Sequence, residues 1–257
     1  MIDRIQQVNR PYQEIGQQLI ERINQGQFRI GERLPAERII AEEMNVSRAV
    51  IREALIMLEL LGLVEVRKGS GIYIIALPKQ LNAKQSKQKK EEKDDVGPFE
   101  MLQARQVVES RIAELAAAQV TKNDILKLRE ALNMERKELL GESAEYDGDK
   151  MFHQIIADAT QNSVLSEIVT DMWERRQKSS MWKRLHERII DKNYREQWLE
   201  DHEKVFMCLR RKDSKGAGQA MWQHLENVKS TLMELSDVDD PDFDGYLFDT
   251  HSLSNSE

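Results

Sequence analysis

The sequence predicts a mainly α fold in two modules, with one small β-hairpin closing the first of them. Three observations carry this. Apolar residues recur at helical spacing over most of the 257 residues. The period shortens to two only between residues 63 and 75. Residues 79–95, KQLNAKQSKQKKEEKDD, contain only Leu81 and Ala83 as apolar residues. A stretch so poor in apolar surface cannot offset its own ordering entropy, so it reads as a solvated linker.

Taken in order, Ile15, Leu19 and Ile23 fall on one face of a first helix over 11–25, which Gly26 ends. A short second helix is expected over 36–43. Asn45 and Val46 then turn the chain, and Ser47 is placed to cap a third helix over 48–61, stopped by Gly62. Residues 63–66 and 72–75 are β-rich runs on either side of the glycine-containing turn RKGSG, and together they make a hairpin. Beyond the linker, helices are expected over 98–119, 122–140, 146–160, 163–180, 192–211 and 214–235, with breaks at Thr121, Gly141, Asn162, Asp191 and Asp213. After Pro98 the only proline is Pro241, as suits a helical bundle. From Ser236 a tail mixes acids with Phe243, Tyr246, Leu247 and Phe248 and is expected to dock through its aromatics. The organisation is therefore 1–78, a linker at 79–95, a bundle over 96–235 and a tail over 236–257.

The whole chain carries 38 Lys and Arg against 45 Asp and Glu, a net charge of −7, which by itself argues against a nucleic-acid partner. The distribution reverses that impression. Residues 1–78 hold 10 basic and 10 acidic side chains, the linker is +2, and the rest, with 22 basic and 31 acidic, is −9. The single Cys208 excludes an internal disulfide framework and any Cys-based zinc finger, and it fits a reducing compartment. The N-terminal MIDRIQQVNR has no apolar core, and no apolar run reaches membrane-spanning length, so a cytoplasmic protein without a membrane partner is expected.

Two helices joined by a short turn, a third helical element and a hairpin make the layout of a winged helix-turn-helix. Such a module presents a helix narrow enough for the major groove, with donors on its outer face. Arg48 and Arg52 lie four apart and so share a face, leaving Val50, Ala54, Leu55 and Leu58 toward the core. Arginine is shaped for bidentate contact with guanine. Ser47 stands at a helix N-terminus that could hold a phosphate. Arg33 and Arg38 flank the second helix as phosphate clamps, and Lys68 and Gly69 form the hairpin tip. The alternative is that these arginines pair with Glu37, Glu53 and Glu59 on solvated faces.

The string GERLPAERIIAEEMNVSRAVIREALIMLELLGLVEVRKGSGIYI resembles the DNA-binding domain of the GntR family of bacterial regulators. The resemblance puts Arg38, Ser47, Arg48, Arg52, Lys68 and Gly69 on DNA-contacting positions. Ala49 falls where the family often has a threonine that touches DNA.

In the second module, Asp149 and His153 lie four apart on one helix, and His202 and His224 lie on the last two long helices. Facing helices of a bundle can bring four such side chains round one cavity, and a carboxylate with imidazoles suits zinc, nickel or manganese. Spacing leaves open whether these are ion ligands or hydrogen-bonded core histidines. The stretch PFEMLQARQVVESRIAELAAAQ, with the Asp and His positions that follow, resembles the helical effector domain of the family's FadR-like branch, the FCD domain. That resemblance implies a divalent ion, zinc first, on Asp149, His153, His202 and His224, holding a small carboxylate. It places Arg105 and Asn162 on the ligand pocket, although Arg105 could equally pair with Glu109 at i+4 and Asn162 could start a helix. His186 and His251 match nothing. Within the family, GPFEMLQARQ, MWQHLENVK and VDDPDFDGYLFD resemble the hexuronate-utilisation repressors. This implies a homodimer on a pseudo-palindromic double-stranded operator, with a sugar acid such as glucuronate or fructuronate as effector. A metal-dependent enzyme would use the same ion ligands, but no acid or base partner can be named and no catalytic residue is assigned. A sensor of the ion itself is the third reading.

Overall fold

The computed structural model describes residues 10–67, 69–78, 95–141, 147–188 and 194–238. Along these residues the order is α1 (Pro11–Asn24), α2 (Glu37–Met44), α3 (Arg48–Leu60), β1 (Val64–Arg67), β2 (Gly71–Ile74), α4 (Pro98–Gln119), α5 (Lys122–Leu139), α6 (Gly148–Asp158), α7 (Ser163–Lys178), α8 (Ser180–Arg188), α9 (Tyr194–Arg210) and α10 (Ser214–Leu235). No helix among the described residues is long and apolar enough to cross a membrane. Two compact units form. The first takes in Met1–Gly97, Ser180–Arg188 and Leu235–Glu257; the second takes in Pro98–Ser179 and Ile189–Glu234.

In the first unit, α1 buries Tyr12, Ile15, Leu19 and Ile23 at helical spacing and packs on α3. Asn45, in the left-handed conformation at φ 53°, ends α2. The Ser47 hydroxyl accepts from the Val50 N–H and so caps α3, as its sequence position suggests. β1 and β2 pair antiparallel with Val64 opposite Ile74. The stretch before α2 also pairs with β2: the Leu34 N–H donates to Ile72 at 2.8 Å, and Ile74 donates to Glu32 at 3.0 Å. Arg33 thereby bridges to Tyr73. That pairing is invisible in the sequence, because three residues ahead of Pro35 are too few to show an alternating pattern.

Three expectations about the chain's middle and end are corrected or fall outside the described residues. The helix expected over 163–180 stops at Lys178, where Ser179 adopts an extended ψ of 122°, and a separate helix, α8, follows. No glycine or proline marks this break. α8 buries Met181, Trp182 and Leu185 and groups with the first unit, where it packs on α3, rather than with the bundle. Asp95, assigned to the linker, is tied down: its carbonyl accepts from Tyr12 Oη at 2.8 Å and Arg10 Nη1 at 2.6 Å, and its carboxylate accepts from the Met181 N–H at 3.0 Å. Residues 79–94 and the tail aromatics Phe243, Tyr246 and Phe248 lie outside the described residues. The start of the tail does not: Ser236 and Val238 are fully buried.

In the second unit α4 is the central element. Phe99, Leu102, Arg105, Gln106, Glu109, Ile112, Ala113, Ala116 and Ala117 are all buried, so it is enclosed over most of its circumference by α6, α7 and α9. This explains the near-continuous run of apolar and small residues there, since a helix packed on several sides has no wide polar face to display. Thr121 and Asp124 form a capping box that starts α5. α6 begins against α5: a Cβ on Gly148 would stand 2.7 Å from the Glu135 backbone nitrogen and 3.1 Å from the Ala131 carbonyl. Gly148→Ala therefore forces the two helices apart. The expected outcome is a loss of about 1–3 kcal/mol of stability, the usual range for overpacking, read as a lowered thermal unfolding temperature.

Candidate metal centre and DNA-reading face

Asp149 and His153 from α6, His202 from α9 and His224 from α10 meet inside the second unit. All four are at least nine-tenths buried. Nε2 of His202 lies 3.2 Å from Nε2 of His153 and 3.0 Å from Nε2 of His224. Asp149 Oδ1 stands 3.4 Å from Nε2 of His153 and 3.9 Å from that of His202. The sequence-derived quartet is thus brought together by three helices.

Carboxylates stand behind the imidazoles. Glu135 takes Nδ1 of His202 at 2.8 and 3.0 Å, Glu109 pairs with Nδ1 of His153, and Asp201 Oδ2 is 4.0 Å from Nδ1 of His224. A carboxylate at Nδ1 fixes the proton on that nitrogen and leaves the Nε2 lone pair bare. His202 and His153 thus bring bare Nε2 lone pairs within 3.2 Å of each other, with Nε2 of His224 at 3.0 Å from that of His202, and a cation among the three nitrogens removes the conflict. The donor set fits a divalent ion on this ground. Three imidazoles and a carboxylate match zinc, and nickel and manganese accept the same donors.

The electrostatics agree. Burial works against ionising Asp149, yet His153 and Arg176 hold its carboxyl well below the usual range. Burial also opposes the charge on Glu109, but Arg105 and His153 bring it down to about 2. His224 is pushed well below the ordinary imidazole range by burial and by the neighbouring His202 and His153, so it stays neutral and free to ligate. His153 is raised against its burial by Glu109 and Asp149, the same carboxylate environment that favours a cation.

The two effector positions separate. Arg105 is buried beside this centre, its Nε donating to Glu109 at 2.6 Å, so the i+4 pair and the pocket position are both realised in one residue. Asn162 is exposed, and its carbonyl oxygen accepts from Val164 and Leu165 N–H to cap α7. The structure uses it as a helix start and does not bring it into the cluster. Sequence reasoning passed over Glu135, Asp201, Trp173 and Arg176. Asp201 is the neighbour of His202 and was open to notice; Glu135 lies 67 positions from the imidazole it supports, and nothing local signals it.

On the first unit, Ser47, Arg48 and Gly69 are exposed, with Gly69 at φ 66° in the hairpin turn. Arg38 is exposed and pairs with Glu42 at 2.8 Å. Arg33 is exposed beside Gly71 of the hairpin. Lys68 lies outside the described residues. Arg52 departs from expectation: it does not share an outward face with Arg48 but is fully buried. Its Nε donates to Glu37 Oε2 at 2.8 Å and its Nη1 to Ser236 Oγ at 2.7 Å. Positions four apart differ by about 40° round a helix, enough for Arg52 to fall on the flank that α2 and residues 236–238 cover. The anticipated pairing with Glu37 is thus met, but inside the fold rather than on a solvated face. Asp237 pairs with Arg48 and lies 3.5 Å from Arg52.

Comparison with known proteins adds to this geometry. Residues 11–74 match the bacterial regulatory proteins of the gntR family, and residues 100–227 match the FCD domain. The chain is 49% identical to the "Uxu operon regulator" of Haemophilus influenzae over 96% of its length and 91% of that protein. It is 49% identical to the "Uxu operon transcriptional regulator" of Escherichia coli K12, covering 95% of each. It is 48% identical to the E. coli K12 "Exu regulon transcriptional regulator", over 95% of this chain and 93% of that one.

A carboxylate supporting a ligating imidazole has a measurable consequence. Glu135→Gln should lower zinc affinity by about 10–100-fold, the usual loss when such a support is removed, in a competition titration against a chromophoric chelator.

Proposed function

Because the chain belongs to the GntR family, with an FCD domain as its second module, we propose that it is a homodimeric repressor of hexuronate catabolism genes. It is a transcriptional regulator of the type that serves the uxu and exu systems. In this reading it leaves its operator when a sugar acid such as glucuronate or fructuronate binds at the ion centre. The observation that carries the effector half is the convergence of Asp149, His153, His202 and His224 with carboxylates behind the rings. When bound, the ion supplies a Lewis-acid anchor for a small carboxylate. Glu109 and Glu135 keep the rings turned toward it, and the enclosing helices exclude bulk water.

Two winged modules of a dimer would read the half-sites of a pseudo-palindrome. Arg48 would take base edges, Ser47 and the N-terminus of α3 a phosphate, Arg33 and Arg38 flanking phosphates, and Lys68 and Gly69 the adjoining groove. Arg52 must leave Glu37 and Ser236 to join them, and Asp237 competes with DNA for Arg48. A neutral first module makes attraction to DNA a matter of where these few cations sit, and added salt weakens binding through the same contacts. The effector acts through its different affinity for the DNA-fitting and DNA-releasing states.

Fluorescence anisotropy on a duplex selected by the protein from a randomised pool tests this. Glucuronate or fructuronate should weaken operator affinity; no change with any hexuronate removes the effector assignment, and release by zinc alone favours an ion sensor. Arg48→Ala should cost about 1–3 kcal/mol of specific affinity with the fold intact. Asp237→Ala should instead tighten operator binding, by up to about fivefold for a half-exposed pair. His202→Ala should spare operator binding and abolish the response to sugar acid.

A further inference from the structure

We propose that His224 exchanges its ring proton from Nε2 to Nδ1 when the ion binds, and that Asp201 is the positioning residue that receives the relocated N–H. The inference rests on the ion centre proposed above.

The three rings are not equally prepared for an ion. Glu135 takes Nδ1 of His202 and Glu109 that of His153, so both of these rings present a bare Nε2. His224 is as deeply buried, at 2% exposed, but its Nδ1 has no hydrogen-bond partner among the described residues. Its Nε2 lies 3.0 Å from Nε2 of His202. A hydrogen bond at that distance needs one proton, and His202 keeps its own on Nδ1, so the proton belongs to His224. A neutral imidazole carries a single N–H, which makes Nδ1 of His224 a bare acceptor. Asp201, an acceptor itself, then has nothing to receive from it, in keeping with the 4.0 Å between its Oδ2 and this nitrogen.

Other donors hold Asp201 in that place. The residue is 2% exposed, and Lys204 Nζ donates to its Oδ1 at 2.7 Å. Asn227, one turn after His224 on α10, donates from Nδ2 to Asp201 Oδ2 at 2.6 Å. The Asn227 carbonyl oxygen accepts in turn from Gln223 at 2.8 Å, so the amide is held with its NH2 toward Asp201.

An ion cannot bind to this arrangement unchanged. It takes the Nε2 lone pair of each ring, and His224 has none to give until its proton has left. The ring loses the Nε2 proton to water shed by the entering ion and gains one at Nδ1, so its charge and proton count are the same before and after. The new N–H is buried and costly without an acceptor. Asp201 Oδ2 supplies one after a shift of about 1 Å, which brings it to an ordinary N–H···O distance. The Lys204 side chain, mostly exposed, follows the carboxylate, whereas Asn227, bound to the same oxygen, opposes the shift. Asp201 therefore favours the ion and Asn227 works against it, although the two belong to one hydrogen-bonded group.

The two-bond proton–nitrogen spectrum of the full chain labelled with 15N-histidine, metal-free and then loaded with zinc, reads the tautomers, with His224→Gln identifying the signals. His224 should carry its proton on Nε2 without zinc and on Nδ1 with it, while His202 keeps Nδ1 protonated throughout. Zinc affinity from chelator competition should fall about 10–100-fold in Asp201→Asn, the usual loss of such a support. It should rise about 2–10-fold in Asn227→Leu, the worth of one competing hydrogen bond. A proton on Nδ1 of His224 in the metal-free protein overturns the proposal, as does one on Nε2 with zinc bound. Weaker zinc binding in both variants also overturns it, since that is the mark of a packing role. Should either variant fail to fold, the wild-type spectra decide. A wild type that takes up no zinc removes the ion centre and the proposal together; zinc uptake with an unchanged tautomer removes the proposal alone.

Discussion

Three buried imidazoles that gather their Nε2 atoms at one point are the constraint around which the second unit is organised. Each ring reaches that point from a different helix, and carboxylates on α4 and α5 set the proton of two of the rings on the far side. The arrangement is unfavourable by itself, and burial makes it more so, because a low-dielectric surrounding strengthens both the repulsion and the attraction of a cation. The close packing of α5 on α6 at Gly148 and the enclosure of α4 follow from it. Helices that carry such a cluster must be held to within a fraction of an ångström, and small residues at the crossings permit that approach.

The first unit stores its charges in a comparable way. The buried pair of Arg52 and Glu37 joins α3 to α2, and Ser236 and Asp237 close over the same arginine. A buried ion pair adds little net stability against an apolar pair of similar size, but removing one partner leaves an uncompensated buried charge. α10 carries His224 and runs to Leu235, directly before these two residues; α7 carries Trp173 and Arg176 and is separated from α8 by Ser179 alone. Covalent continuity therefore links helices of the ion centre to segments that contact α3.

Much of this was legible in the sequence. The five elements of the winged module and the six long helices of the bundle stand within a few residues of where periodicity and capping residues put them. The convergence of Asp149, His153, His202 and His224 was legible too, because D-x3-H on one helix face is a local pattern and the resemblance supplied the other two histidines. Arg48 and Arg52 were legible as residues four apart, but not for the directions they face. Whether Arg52 faces outward or inward turns on some 40° of helix rotation and on a segment 184 positions away.

What the sequence determined by itself is the identity and order of the parts: a winged module, then a helical bundle, and a charge balance whose meaning lies in its division along the chain. These follow from local rules, the 3.6 and 2.0 periods, caps and composition, which act over a few residues. Only the tertiary structure decided which carboxylate stands behind which imidazole, that Arg105 is matched by Glu109 while Arg176 is not buried to the same degree, that Asn162 caps α7, and that α8 belongs with α3. Each of these depends on contacts between residues far apart in the chain. A buried polar group is satisfied by whatever packing brings to it, and no local pattern records that choice.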